Sequence, residues 1–512
     1  MSTALSWTEL RSSRRDLAAL LAFRSSALTL RARRRLRLGG VVALLVTIAV
    51  AVGPAYVDEE LRAERGGSFL ALLPSLCVGF LVLAIFTAVA SAGGREVVPR
   101  DQAVAFPVST TTDHLGALLL APLNIAWVLQ AWTLLGITSY ALGPHRIWAY
   151  ELPVVLWVLS ATAIAQAAGW LSEGVRRGPH GIVLFRVLVA ALALGAGLLV
   201  VSGHLVDVLD HSPTRGVLNA VLAASDGQWG PWAVGVLGLA ALGAGAAVVG
   251  ALPAGWALRR PMREEQRLES GRHPARPTAG SDLMMMLRID RAGVWRSVPL
   301  RRGILVLALM PGAVAVAGDL EWQMLTVLPG LVASGAALLF GVNAWCLDGR
   351  GALWRESLPV SPGVAFAARS IVLFEVLLCS ALATLALAAV RAGRPTATEL
   401  TALVCSTLVV ALQVVAASMR WSMARPFSVD LRSARATPAP PVVMAGYSAR
   451  LALATTMAGL VFSGLAALDS SRYAVSVALV WLLWSAWRLA RAARLWANPV
   501  ARSRVVSLVT GG

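Results

Sequence analysis

Few residues in this sequence are typed and spaced for chemistry, and none is arranged for covalent catalysis. There is no H-E-x-x-H, no G-x-S-x-G and no group of acids or histidines gathered at one helical spacing. The four cysteines, Cys77, Cys346, Cys379 and Cys405, fall inside apolar runs at spacings that suit neither a disulfide framework nor a zinc site. They are expected to be buried small hydrophobes. His204 and His211, with Asp207, Asp210 and Asp226, make a weak metal pattern in a polar loop at 204–228. A solvated loop with a short amphipathic helix at Val217 to Leu222 is the better reading. No lysine is present, so all 45 basic residues are arginine. A phosphate-binding P-loop needs its lysine on the β- and γ-phosphates, so this chain does not carry one. No catalytic residue and no metal ligand is assigned.

The remaining chemistry is ionic and mechanical. Leu347 to Glu375 interrupts two long apolar runs with Asp348 and Arg350, then Trp354-Arg355-Glu356, then Leu358-Pro359-Val360-Ser361, and later Arg369. Pro359 and Pro362 restrict the backbone, and Ser361 can cap a helix that starts at Pro362. An anchor and charges on a stiff turn suit holding a partner and passing on its movement. A weaker echo runs from Arg95 to Leu120, where Pro107-Val108-Ser109 matches Pro359-Val360-Ser361. It lacks the later basic residue, for which His114 is the nearest candidate. Other polar groups lie within apolar runs: Glu375, Arg186, Asn124, Gln130, Gln166, Asn343 and Gln413. Ionisable groups at membrane depth are costly and tend to be functional. Glu375 needs a partner or a proton, and Arg186 either pairs with it or snorkels to the inner interface. For the amides, interhelical hydrogen bonds are the plain expectation.

These residues need elements to position them, and composition names the class. The 512 residues are 57% hydrophobic and only 14% charged, with mean hydropathy +0.70; soluble domains carry about 25% charged residues. An all-α polytopic membrane protein is expected. Runs long enough to span a bilayer, about 20 residues each, fall at 39–57, 69–92, 114–140, 148–172, 181–203, 229–257, 302–318, 324–346, 366–390, 398–419, 443–467 and 473–490. These twelve form two six-span halves, residues 1–257 and 258–512, the second opening with the polar stretch 258–301. Trp7 to Leu30 has helical apolar spacing with an arginine-rich face, which suits an interfacial helix on the lipid bilayer. With both termini inside, the outside loops hold only Arg62, Arg65, Arg146, Arg215, Arg391, Arg394 and Arg472. The net charge of +18 is then membrane topology, and no nucleic-acid partner is expected. Gly235 to Gly250 reads as close helix packing.

The halves also echo each other in sequence. Asp16 to Leu28 (DLAALLAFRSSAL) resembles Asp282 to Val294 (DLMMMLRIDRAGV), and both lead through a basic stretch into a span. Each half would run interfacial helix, span, outside loop, span, Pro-Val-Ser turn and four more spans. Six spans per half starting on the same side make a parallel repeat.

That layout, and Leu358-Pro359-Val360-Ser361 followed by Arg369, resembles the permease subunits of bacterial ABC exporters of the ABC-2 type. The resemblance covers the layout of nearly the whole chain, although its motif is short. It implies a multi-pass location in the cytoplasmic (plasma) membrane, an exported small molecule, peptide or lipid, and two copies of a separate P-loop ATPase that bind ATP and Mg. This chain itself would hold no cofactor. It also implies that Trp354, Arg355, Glu356, Leu358, Pro359, Ser361 and Arg369, with Pro107 and Ser109, couple to the ATPase. A proton- or ion-coupled secondary transporter with twelve spans is the alternative, and would be expected to carry more buried carboxylates. A polytopic membrane enzyme has no supporting motif.

Overall fold

Ten helices among the described residues are long and apolar enough to cross a membrane, and two pairs of shorter helices pass together as bent spans. The chain is an all-α polytopic membrane protein with ten to twelve candidate spans. The computed structural model describes residues 7–26, 30–93, 108–204, 207–208, 212–260, 279–317, 320–337, 339–390, 392–429, 431, 437–468 and 470–511. It divides into two compact units, Met1–Arg263 and Glu264–Gly512.

The first unit contains α1 (Trp7–Ser26), α2 (Leu30–Val52), α3 (Glu59–Ala71), α4 (Leu73–Ala90), α5 (Thr110–Leu120), α6 (Ile125–Leu142), α7 (Ile147–Arg176), α8 (Gly181–Val201), α9 (Arg215–Asp226), α10 (Trp229–Val249) and α11 (Ala251–Arg259). The second contains α12 (Asp282–Arg296), α13 (Val298–Ala317), α14 (Trp322–Leu325), α15 (Leu328–Ala337), α16 (Ala352–Glu356), α17 (Pro362–Ala388), α18 (Ala397–Ala424), α19 (Pro441–Ala467), α20 (Ser471–Ala497) and α21 (Pro499–Thr510). With each bent pair taken as one span, both units hold six. The amphipathic helix expected at Val217 to Leu222 is present as α9, which buries Val217, Ala220, Val221, Ala223 and Ala224.

Two expected spans are not straight helices. The 114–140 run bends by 63° between Thr110–Leu123 and Trp127–Leu142. Pro122 causes a 3₁₀ turn there, since it cannot donate to the helical ladder. The 324–346 run bends by 41° before the 3₁₀ segment Gly341–Leu347, in which Asn343 leaves helical geometry at φ −149° and ψ 72°.

In each unit the fourth span is central. α7 and α18 each bury 56% of their apolar window, whereas α8 buries none and α10 only 6%. Lipid is as apolar as leucine, so hydrophobicity alone does not choose the central helix. Small polar groups do. Ser160 of α7 donates to Leu239 O at 2.9 Å. Ser406 of α18 donates to Thr326 O at 2.7 Å and Ser422 to Gly341 O at 3.0 Å.

The glycine run on α10 is only partly a packing seam. A Cβ on Gly243 would meet Ser160 Oγ at 2.7 Å, and one on Gly235 would meet Ala220 Cβ at 2.7 Å, but Gly238 and Gly245 face open space. Helical periodicity turns those two away from α7 and α9. Cys77 and Cys346 are buried as expected; Cys405 is half-buried and Cys379 exposed. On a lipid-facing helix an exposed thiol costs little, which is why burial does not follow from an apolar run.

Candidate functional site

The turn after the second span of the second unit is built from outside its own sequence. Ser361 accepts from Val364 N at 3.3 Å and caps α17, with Pro362 at the first helical position. Eight residues on, Arg369 is fully buried. A lone buried guanidinium is untenable, so its counterions define the site. Asp290, on the inner face of α12 beside Met286, Leu287 and Val294, accepts from Arg369 Nη2 at 2.8 Å and from Nε at 3.2 Å. Asp348 accepts from Arg369 Nη2 at 2.9 Å. Nη1 donates to Ala344 O, and Trp345 lies under the guanidinium at 5.3 Å. Arg355, from the short helix α16, completes the cluster. It reaches Asp290 and, at 3.1 Å, Asp348. Two arginines and two aspartates sum to zero charge, and three separate chain segments plus α17 are tied at one point. Burial opposes ionisation of Asp290, but the adjacent Arg369 and Arg355 outweigh it and hold the carboxyl below its usual range.

A second layer closes over the first. Trp345 stacks on Trp496 with centroids 3.7 Å apart and planes 2° from parallel. Arg502 of α21 pairs with Glu356, while Val505, Val506 and Val509 are buried. A cavity of about 140 Å³ lies beside this layer, walled by Asp348, Arg355, Glu356 and Arg502. The residues expected to act together therefore divide. Arg355 and Arg369 face inward, Glu356 faces α21, and Leu358 packs partly on the core. Pro359 and Ser361 stay exposed. At the tip, Leu353 is 61% exposed and Trp354 63% exposed.

The corresponding place in the first unit is braced differently. Pro107 lies outside the described residues. Ser109 caps α5, accepting from Thr112 N at 3.1 Å, and its hydroxyl meets Ser13 of α1 at 3.2 Å. His114 is buried. Its Nδ1 accepts from Trp170 Nε1 at 3.1 Å, which leaves Nε2–H to donate to Ala247 O at 2.9 Å. A neutral imidazole fixes three helices here, where four charges do so in the second unit.

Of the polar residues within apolar runs, Glu375 has its partner in its own unit. It accepts from Arg291 of α12, with Nε to Oε2 at 2.9 Å, and Arg186 is exposed on α8. Asn124 and Asn343 both sit at the breaks of bent spans. Asn343 donates to Phe427 O at 2.8 Å and Pro438 O at 2.9 Å, while Ser422 serves backbone groups freed at the break, accepting from Ala344 N at 2.8 Å and donating to Gly341 O at 3.0 Å. Gln130 lines a cavity with Asn124. Among the described residues no three His, Cys, Asp or Glu side chains are grouped to hold a metal; His211 lies outside them. Asp290 escaped sequence reasoning, although an acid on the apolar face of a basic helix was a readable signal. Glu151 also escaped notice. It is buried on α7, and neither of its oxygens has a hydrogen-bond partner among the described residues. No family model, curated protein or solved structure matches the chain.

Proposed function

We propose that this polytopic chain is the permease subunit of an ATP-driven exporter of the ABC-2 type in the cytoplasmic membrane. A separate P-loop ATPase, in two copies, binds ATP and Mg and hydrolyses the nucleotide. This chain contributes no covalent chemistry, and moves a small molecule, peptide or lipid. The observation that carries the reading is an exposed apolar tip, Leu353-Trp354, on a turn braced from behind by Asp348, Arg355 and Glu356. A tip held from behind transmits force, whereas a loose one absorbs it. ATP-bound partners would act by favouring one state of the permease over another. Arg355 and Arg369 support coupling from within the turn, and Trp354 makes the contact.

The test is whether a P-loop ATPase co-purifies with this chain from its native membrane, followed by Trp354→Ala. An aromatic anchor at the centre of an interface is worth about 2 kcal/mol or more, so ATPase affinity should fall about 30-fold with the permease still folded. Unchanged coupling would refute the contact.

A proton- or ion-coupled transporter is the second reading, and Glu151 favours it as a buried carboxyl without a hydrogen-bond partner among the described residues. Transport in vesicles separates the two. The exporter requires ATP and tolerates Glu151→Gln, whereas transport driven by a proton gradient alone and abolished by Glu151→Gln would overturn the exporter.

A further inference from the structure

The bent third span of the first unit opens a cavity of about 120 Å³, walled by α4, α5, α6 and α7. Seven neutral hydrogen-bonding side chains line it: Thr87, Ser91, Asn124, Trp127, Gln130, Thr162 and Gln166. Among the described residues, no ionisable side chain does. The span breaks at this wall, between Leu120 and Ile125. Irregular backbone at membrane depth is tolerated only when buried in protein or beside a polar cavity. Such breaks mark the binding sites of membrane carriers, because a helix C-terminus and a helix N-terminus then face the same space.

The lining has a defined polarity. Thr87 donates to Leu83 O at 2.8 Å, and Ser91 to Thr87 O at 2.9 Å. Thr162 donates to Val158 O at 2.6 Å and accepts from Trp127 Nε1 at 2.8 Å, which fixes that wall. Gln166 is anchored by its amide nitrogen to Gly93 O. The hydroxyl protons of Thr87, Ser91 and Thr162 are thus committed to the protein's own backbone, while the carboxamides of Asn124, Gln130 and Gln166 bring both N–H donors and carbonyl acceptors to the same wall. Donors and acceptors without a fixed charge suit a ligand that exchanges hydrogen bonds but carries no net charge. An ion of either sign would find no counter-charge among the described lining residues to offset its desolvation. A cavity near 150 Å³ accommodates a benzene-sized molecule, so this one takes about six non-hydrogen atoms.

We infer that this cavity is a binding site for an uncharged, hydroxyl- or amide-bearing group of about glycerol's size, either a whole solute or one end of a larger cargo. Its use in transport rests on the exporter reading, but its existence does not. The experiment therefore uses the chain alone, without an ATPase.

Cys77, Cys346, Cys379 and Cys405 are replaced by alanine, and Ser91→Cys, a near-isosteric change, is introduced in nanodisc-reconstituted protein. Thr87→Cys serves as a second position, and size-exclusion profiles report folding. The labelling rates of neutral 2-hydroxyethyl methanethiosulfonate and a trimethylammonium analogue are compared. A charge at membrane depth costs several kcal/mol, so the neutral reagent should react at least about tenfold faster. Glycerol should slow it, while sucrose, too large for the cavity and equally viscous when matched, should not. Labelling by neither reagent would mean a closed packing defect. Equal labelling by both would mean an open aqueous passage, and neutral labelling that glycerol does not slow would mean unselective access. Each of these three outcomes overturns the inference.

Discussion

Arg369 does more than finish a motif. Its guanidinium holds Asp290 and Asp348 together with a backbone carbonyl. Removing one partner of a buried pair leaves the others as unpaired charges, which costs about 3–5 kcal/mol. Arg369→Met should lower unfolding stability in detergent by that amount, and replacing Asp290 alone should cost nearly as much. Acid behaviour reports the same contact. The folded pKa of Asp290 lies below the usual 3.8, so the unfolded chain takes up this proton first. The stabilisation is therefore complete above the unfolded value and fades as pH falls below about 4, toward the folded value. Asp290→Asn should flatten that part of the acid unfolding curve; an unaltered acid limb would deny the carboxylate its role. Arg369 was readable from the turn's pattern, and Asp290 as an acid on the apolar face of a basic helix, but their pairing was not. Asp290 lies 79 residues away, and nothing in linear spacing couples an interfacial helix to a later span.

Helix seams obey the same local accounting. Gly243 and Gly245 lie two residues apart on α10, yet only Gly243 is pressed against another helix, at Ser160. Gly243→Ala should force α10 from α7 and break the Ser160–Leu239 bond, costing about 1–3 kcal/mol. Gly245→Ala should be neutral or slightly stabilising, because alanine is the better helix former. Thermal unfolding of the two variants decides whether the seam lies where the close contact is. Hydropathy found all twelve apolar runs, since burial in lipid demands little more than length and apolarity. It missed both breaks, because a window average is blind to direction. Pro122 was a legible warning in the first break. Asn343 was not, since its departure from helical geometry depends on carbonyls at Phe427 and Pro438 that only the folded unit supplies.

Across the whole molecule the two units share a plan of spans and differ in how they are braced. Each unit has a serine-capped helix after its turn and a most-buried fourth span. One unit is braced by a neutral histidine and the other by four charges. Such divergence is invisible to layout, which preserves positions while the bonding between them is rebuilt. The last helix, α21, belongs to one brace alone. A chain ending before Pro499 should keep the Asp290–Arg369 cluster but release the tip, and hydrogen exchange at 347–361 should rise markedly while the core of α17 stays protected. Protection of the tip without α21 would show that the outer layer is dispensable. The chain's direction of synthesis gives this arrangement a further meaning. Asp290 and Asp348 both precede Arg369, so each carboxylate has left the ribosome before the arginine arrives. Arg369 therefore emerges with its neutralising partners already made. Trp496 and Arg502 follow only after α17, α18 and α19 have been made, so the tip becomes rigid after the buried cluster beneath it.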